Sequence, residues 1–132
     1  MPQPLPKKIF ARQHEITQEY LKAIDKHLDD VLNERVTDMF EIRDFAELLH
    51  IHPTHLSNTI KLATGKHPCF FIEERIMEIA REMLRNHTPI KEVAYKLTFD
   101  PSNFTKFFKR FSGITPKQYR EQVLEAEVTE AM

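Results

Sequence analysis

Two polar series recur in this sequence at helical spacing: Thr54, Ser57, Asn58 and Lys61, then Ser102, Thr105, Lys106 and Lys109. Hydroxyl, carboxamide and ammonium groups aligned on one face do not make a nucleophile with its base. The rest of the chain offers no Ser/His/Asp set, no HExxH and no glycine-rich phosphate loop. The chemistry left to such a face is hydrogen bonding to an ordered array of donors and acceptors. Base edges in a major groove are such an array: a carboxamide gives paired bonds to adenine, and an ammonium donates to guanine. The second series also sits in a cationic setting. Ser102 to Arg120 carries Lys106, Lys109, Arg110, Lys117 and Arg120 and no carboxylate, although the chain has 20 acidic residues.

Net charge at pH 7 is only −1 over 132 residues, so the distribution carries the information. Ile51 to Ile72 is a second acid-free island, holding Lys61 and Lys66 with His52, His55 and His67. The flanking segments Glu15 to His50 and Glu121 to Met132 are strongly acidic. Two basic islands in an acidic chain suit an anionic partner, and nucleic acid comes first. With 41% hydrophobic residues the composition is that of an ordinary globular domain, and no apolar run reaches membrane-spanning length. The single cysteine, Cys69, excludes an internal disulfide and fits a reducing cytoplasm. Two glycines in all argue against a fold of tight β-turns.

The islands are copies of one another. Ile42 to Ile72 aligns without a gap to Ile90 to Arg120, with Ile42/Ile90, Ala46/Ala94, Leu49/Leu97, Pro53/Pro101, Lys61/Lys109, Gly65/Gly113 and Pro68/Pro116 identical. Each copy reads as a short helix, a four-residue break and a second helix, which is helix–turn–helix grammar. The first helices are Ile42 to Leu49 and Ile90 to Leu97, the latter with Thr88 as N-cap and Pro89 at the first helical position. The breaks are HIHP and TFDP, where proline stops one helix and suits the start of the next. Gly65 and Gly113 suit C-terminal caps.

In the second helix of the later copy, Phe104, Phe107, Phe108 and Phe111 recur at i, i+3, i+4 and i+7. This stripe places the rings in a core instead of stacking them on bases, and it turns Ser102, Thr105, Lys106 and Lys109 outward. In the earlier copy Leu56, Thr59, Ile60 and Ala63 form the matching inner stripe. Between the copies, Pro68 to Asn86 is a periodic helix facing inward through Phe71, Ile72, Ile76, Ile79, Ala80, Met83 and Leu84. Its length, roughly 27 Å at 1.5 Å per residue, suits two reading helices about one DNA turn, roughly 34 Å, apart. Thr17 to Glu34 forms a further amphipathic helix with Tyr20, Leu21, Ile24, Leu28, Val31 and Leu32 inward. The expected fold is all-α: two helix–turn–helix subdomains joined by a linker helix, about seven helices in total. Residues 1–14 read as a linker-like or disordered N-terminus, 15–67 as the first unit, 68–86 as the linker helix, 87–120 as the second unit and 121–132 as an acidic tail.

With both units in place, the chain resembles the DNA-binding domain of AraC/XylS-type transcriptional regulators. The resemblance spans Thr17 to Arg120 and is strongest from Arg75. It rests on the arginine–isoleucine opening, Ile90, Glu92, Val93 and Ala94, the FTKFFKR run, and the terminal G-x-T-P-x-x-Y-R from Gly113 to Arg120. It implies two recognition helices, at about 54–64 and 102–111, entering neighbouring major-groove segments of double-stranded DNA to regulate transcription, without catalysis. Three departures stand out. Thr98 replaces the family's usual glycine, the second turn is one residue short, and Lys61 and Lys66 are few cations for a first reading unit.

On the outer-face pattern and the family geometry together, the base-contact candidates are Thr54, Ser57, Asn58, Lys61, Ser102, Asn103, Thr105, Lys106 and Lys109. The phosphate candidates are His55, Lys66, Lys117 and Arg120, the last three near helix starts where backbone N–H groups also favour anions. No cofactor and no metal are expected: His50, His52 and His55 read as turn and surface residues, and Cys69 as a packed or inert thiol. PQPLPKK reads as a linker more readily than as a basic arm on DNA, which leans towards a fragment of a longer protein. RNA polymerase and an effector-sensing domain outside this chain are further expected partners, in the cytoplasm at the nucleoid. The alternative from another class is a helical protein-interaction module that does not read DNA.

Overall fold

The computed structural model describes residues 7–131, so the linker-like reading of residues 1–6 lies outside it. Among the described residues there are seven helices and no strand. They are α1 (Lys7–Leu32), α2 (Ile42–Leu48), α3 (Pro53–Thr64), α4 (Pro68–Arg85), α5 (Ile90–Lys96), α6 (Pro101–Ser112) and α7 (Pro116–Ala131). They fall into two compact units, Met1–Asp30 with Phe40–Glu74 and Val31–Met39 with Arg75–Met132.

In the first unit α1 lays down a strip of Ile16, Tyr20, Ile24 and Leu28, spaced four apart and all buried. The strip packs with Phe45 and Ala46 of α2 and Leu56 and Ile60 of α3 in the buried core. The Tyr20 hydroxyl donates to the Pro68 carbonyl at 2.8 Å, which ties α1 to the first residue of α4. Burial, and then the nearby Cys69, push that phenol above its ordinary range. Helix α1 starts ten residues before the expected Thr17. The sequence KKIFARQHEI contains no proline or glycine and is rich in helix formers, so nothing stops the helix from extending backwards.

His27 is a buried polar group that the sequence did not mark. Its side chain is 3% exposed, its ring stacks on Phe40 at 3.9 Å, and its Nε2 accepts the Phe40 N–H at 2.9 Å. An acceptor at Nε2 requires the neutral imidazole. Burial lowers its pKa, against smaller opposing effects of Asp30 and Asp44.

The second unit packs Ile76, Met77, Ala80 and Leu84 of α4 with Val93, Ala94 and Leu97 and with Phe104, Phe107 and Phe108. Met77 was not on the expected inward list. It shares a strip with Ala80 and Leu84, at three and seven residues' spacing. Ala63, expected inside, is exposed, because the buried strip of α3 ends at Ile60, a turn before the helix does. Thr88 is not the N-cap of α5; that position is Pro89. The Thr88 N–H is already given to the Met83 carbonyl at 3.0 Å, where it closes the end of α4.

The break inside each helix–turn–helix is the same backbone device. His50 N–H donates to Glu47 O (3.1 Å) and Ile51 N–H to Ala46 O (2.9 Å). Thr98 N–H donates to Tyr95 O (3.0 Å) and Phe99 N–H to Ala94 O (2.8 Å). These are paired Schellman bonds, which need a left-handed residue just past the helix. His50 (φ 57°) and Thr98 (φ 66°) occupy that position. A β-branched residue there is strained, because its Cβ crowds the following carbonyl.

Two outcomes follow. Thr98→Gly relieves that strain, and after glycine's larger unfolded-state entropy a net gain of about 0.5–1 kcal/mol remains; thermal unfolding midpoints of the two chains check it. A His27 that stays neutral when folded binds fewer protons than the unfolded chain just below its ordinary value of 6.5. Stability is therefore complete above pH 6.5 and falls as pH drops through the window beneath it. Denaturant midpoints from pH 7.5 to 5 should show that slope, and His27→Gln should remove this residue's share of it.

Candidate nucleic-acid interface

Both recognition helices are built alike. His52 precedes α3 and its Nδ1 accepts the Thr54 N–H at 3.2 Å. Asp100 precedes α6 and its carboxylate accepts from Ser102 and Asn103 N–H at 3.1 and 3.4 Å. These N-caps satisfy first-turn donors, and Pro53 and Pro101 follow them at the first helical position. Gly65 (φ 76°) and Gly113 (φ 86°) end the helices with N–H bonds to Lys61 and Lys109 carbonyls. The glycine caps were expected, but neither N-cap, His52 or Asp100, was singled out from sequence, though Asp before Pro carries a cap signal that could have found Asp100.

Burying Leu56, Thr59 and Ile60 on α3, and Phe104, Phe107 and Phe108 on α6, turns the opposite strip of each helix to water. Thr54, Asn58 and Lys61 are exposed, with Ser57 half-buried beside them. On α6 Ser102, Asn103, Lys106 and Lys109 are exposed and Thr105 is half-buried. The Thr105 hydroxyl donates to the Pro101 carbonyl at 3.1 Å, so its proton is already spent on its own helix. Phe111, expected in the core stripe, is only half-buried. His55 and Asn58 also line a groove of about 640 Å³ with Ile9, Arg12, Gln13 and Leu62. The early turns of α1 thus flank α3, which the sequence did not reveal.

The phosphate candidates separate. Lys117 is exposed in the first turn of α7. That helix begins with a reciprocal cap: Gln118 N–H donates to Thr115 Oγ1 at 3.1 Å, and Thr115 N–H to Gln118 Oε1 at 2.9 Å. Lys66 is exposed, with its ammonium over the Phe70 ring at 5.1 Å. Arg120 has another occupation. Its guanidinium is half-buried and donates to the Leu84 carbonyl at 3.3 Å and to the Thr88 carbonyl. Its Nε is buried without a partner. This side chain closes the end of α4, whereas Lys117 stands exposed. Tyr119 beside it packs on Phe108 and accepts from Arg85 Nη1 at 3.0 Å.

The three histidines of HIHPTH have separate positions: His50 ends α2, His52 caps α3 and His55 lies on the α3 surface. Among the described residues no cluster of His, Cys, Asp and Glu could hold a metal ion. Cys69 is exposed, contrary to the packed reading, because it faces outward in the first turn of α4. Partial burial of its thiol, and then the Glu73 carboxylate, push its pKa up. No described helix is long and apolar enough to cross a membrane.

A family model described as a helix-turn-helix domain matches residues 45–122. The HTH-type transcriptional regulator YobQ of Bacillus subtilis is 35% identical over 106 residues, covering 78% of this chain and 42% of that protein. Histidine kinase P4 of Formosa agariphila is 30% identical over 112 residues, covering 83% of this chain and 8% of its own length. The C-terminal domain of AraT, a response regulator from Geobacillus stearothermophilus, superposes with a TM-score of 0.70 at 28% identity, covering 81% of this chain and 84% of that one. The chain belongs to the AraC-type helix–turn–helix family. It spans less than half the length of the curated relatives it matches.

The division between Lys117 and Arg120 is measurable. Arg120→Ala should cost about 1.5–3 kcal/mol of stability, as charged hydrogen bonds to the Leu84 and Thr88 carbonyls are lost. Lys117→Ala, on an exposed surface, should stay within about 0.5 kcal/mol of the parent. Equal denaturation midpoints for the two variants would refute this assignment.

Proposed function

We propose that this chain is the sequence-specific DNA-reading module of a transcriptional regulator, without catalytic activity. The observation that carries the reading is the match of two outward faces. Thr54, Ser57, Asn58 and Lys61 on α3 correspond position by position to Ser102, Thr105, Lys106 and Lys109 on α6, each opposite a buried strip. α3 and α6 read bases in adjacent major-groove segments. Asn58 and Asn103 suit adenine, and Lys61, Lys106 and Lys109 suit guanine, while Thr54, Ser57 and Ser102 adapt to either partner. Thr105, with its proton committed, contributes an acceptor at most. Lys66, Lys117 and His55 hold phosphates and set the register.

The printed identities of the relatives support this reading: YobQ is a transcriptional regulator, and AraT carries such a domain at its C-terminus. By the same reading the working partners are double-stranded DNA, RNA polymerase and an effector-sensing domain outside this chain. The place of action is the cytoplasm, at the nucleoid.

Selection of duplexes from a random pool, followed by titration across salt concentrations, tests the proposal. Affinity should fall steeply with salt as phosphate neutralisation releases counterions. Asn58→Ala should lose about 1–3 kcal/mol of discrimination at one base pair, whereas Lys117→Ala should weaken every duplex alike. Binding that ignores both salt and sequence would leave the protein-interaction module as the better account.

A further inference from the structure

The first unit has a deficit of charge. Its recognition helix and flanks, Ile51 to Ile72, carry only Lys61 and Lys66, against five cations in Ser102 to Arg120. The structure brings another segment to that unit's outer face. Helix α1 begins at Lys7, and its early turns line one groove with the flank of α3. Those turns bring Arg12 to the groove, with Glu15 beside it.

On α3 the groove is lined by His55, Asn58 and Leu62, a strip at three and four residues' spacing that borders the outer face. A major groove about 12 Å wide is nearly filled by a helix roughly 10–12 Å across, so a sugar–phosphate strand must run along the helix's flank. The groove suits that strand chemically. Leu62, 70% exposed, and Ile9, 44% exposed, offer apolar surface to deoxyribose. Arg12 at the rim offers a guanidinium to phosphate; it now pairs with Glu15 at 3.1 Å, with both side chains more than half exposed.

We infer that the N-terminal turns of α1 are a second DNA-contacting element of the first unit, seating one sugar–phosphate strand in the groove beside α3 through Arg12. This rests on the proposed DNA reading and adds to it a strand-clamping surface outside both helix–turn–helix hairpins. Arg12 exchanges its exposed partner Glu15 for a phosphate. Because the contact is to backbone, it raises affinity without choosing a sequence. It also adds a cation beside a recognition helix that has few.

The test measures binding of the full chain to a pool-selected duplex and to a random duplex, each over a range of salt. The variant Arg12→Gln should weaken both duplexes by the same factor, roughly fivefold at about 0.15 M salt, and flatten the log–log salt slope by about 0.9. Leu62→Glu, which puts a carboxylate in the groove, should also weaken both. Glu15→Gln, which frees Arg12, should strengthen both. Arg12, Glu15 and Leu62 are exposed, and unchanged circular dichroism melts will show that folding is intact. If Arg12→Gln and Leu62→Glu bind like the parent while Asn58→Ala still loses discrimination, DNA is read without this groove and the inference fails. An apolar protein partner would then be the occupant to seek. If the parent chain itself shows neither sequence preference nor salt dependence, the DNA-reading proposal fails first, and visibly so.

Discussion

One strip on each recognition helix must be buried, and the arrangement of the surface follows from that. Leu56 and Ile60 on α3, and Phe104 and Phe108 on α6, have no exposed surface. Each such side chain contributes about 1.5–3 kcal/mol through burial. Rotating either helix to hide its polar face would forfeit several of these contributions and desolvate an amide and an ammonium. Asn58 and Lys106 are therefore held outward by residues on the far side of their own helices. The two units reach this result with different materials. The second concentrates aromatic rings on α6 and its surroundings, with Phe99, Phe104, Phe107, Phe108 and Tyr119 in mutual contact. The first draws its rings from α1, α2 and the segment between them, as Tyr20, His27, Phe40 and Phe45.

The turn between the paired helices sets where that outward face begins. A helix ends at Leu48 or Lys96, a left-handed residue reverses the path, and a capped proline starts the next helix within a few residues. The chain has only two glycines, and both are used after the recognition helices. Among the described residues the other left-handed sites therefore fall to Glu34, His50, His87 and Thr98. Paired Schellman bonds hold His50, His87 and Thr98 in a conformation they do not favour, so these turns depend on packing around them more than on local preference.

The C-terminal G-x-T-P-x-x-Y-R run divides between fold and partner in a way its charges hide. Gly113 ends α6, Thr115 and Gln118 cap α7, and Tyr119 and Arg120 close on Arg85 and on the last carbonyls of α4. Of its two cations only Lys117 is free of that work. A motif that reads as a basic patch is mostly a clasp within the second unit.

Fold class, the duplicated hairpins and the outward series were legible in the sequence because each rests on periodicity, and the helical period is set by local backbone geometry. Gly65 and Gly113 were legible for the same reason, since a left-handed cap is a single-residue requirement. Local rules also explain the smaller shifts: α1 ran on to Lys7 because nothing in its sequence stops a helix, and Pro89 became the cap of α5 because Thr88 had already closed α4. What only tertiary structure decided is which side chains meet across the chain. His27 on Phe40, Arg120 on Leu84 and Thr88, and Arg12 beside Asn58 join residues far apart in sequence. Charge and spacing alone cannot say whether an arginine faces water or a carbonyl. That choice depends on which helix end the packing places within its reach.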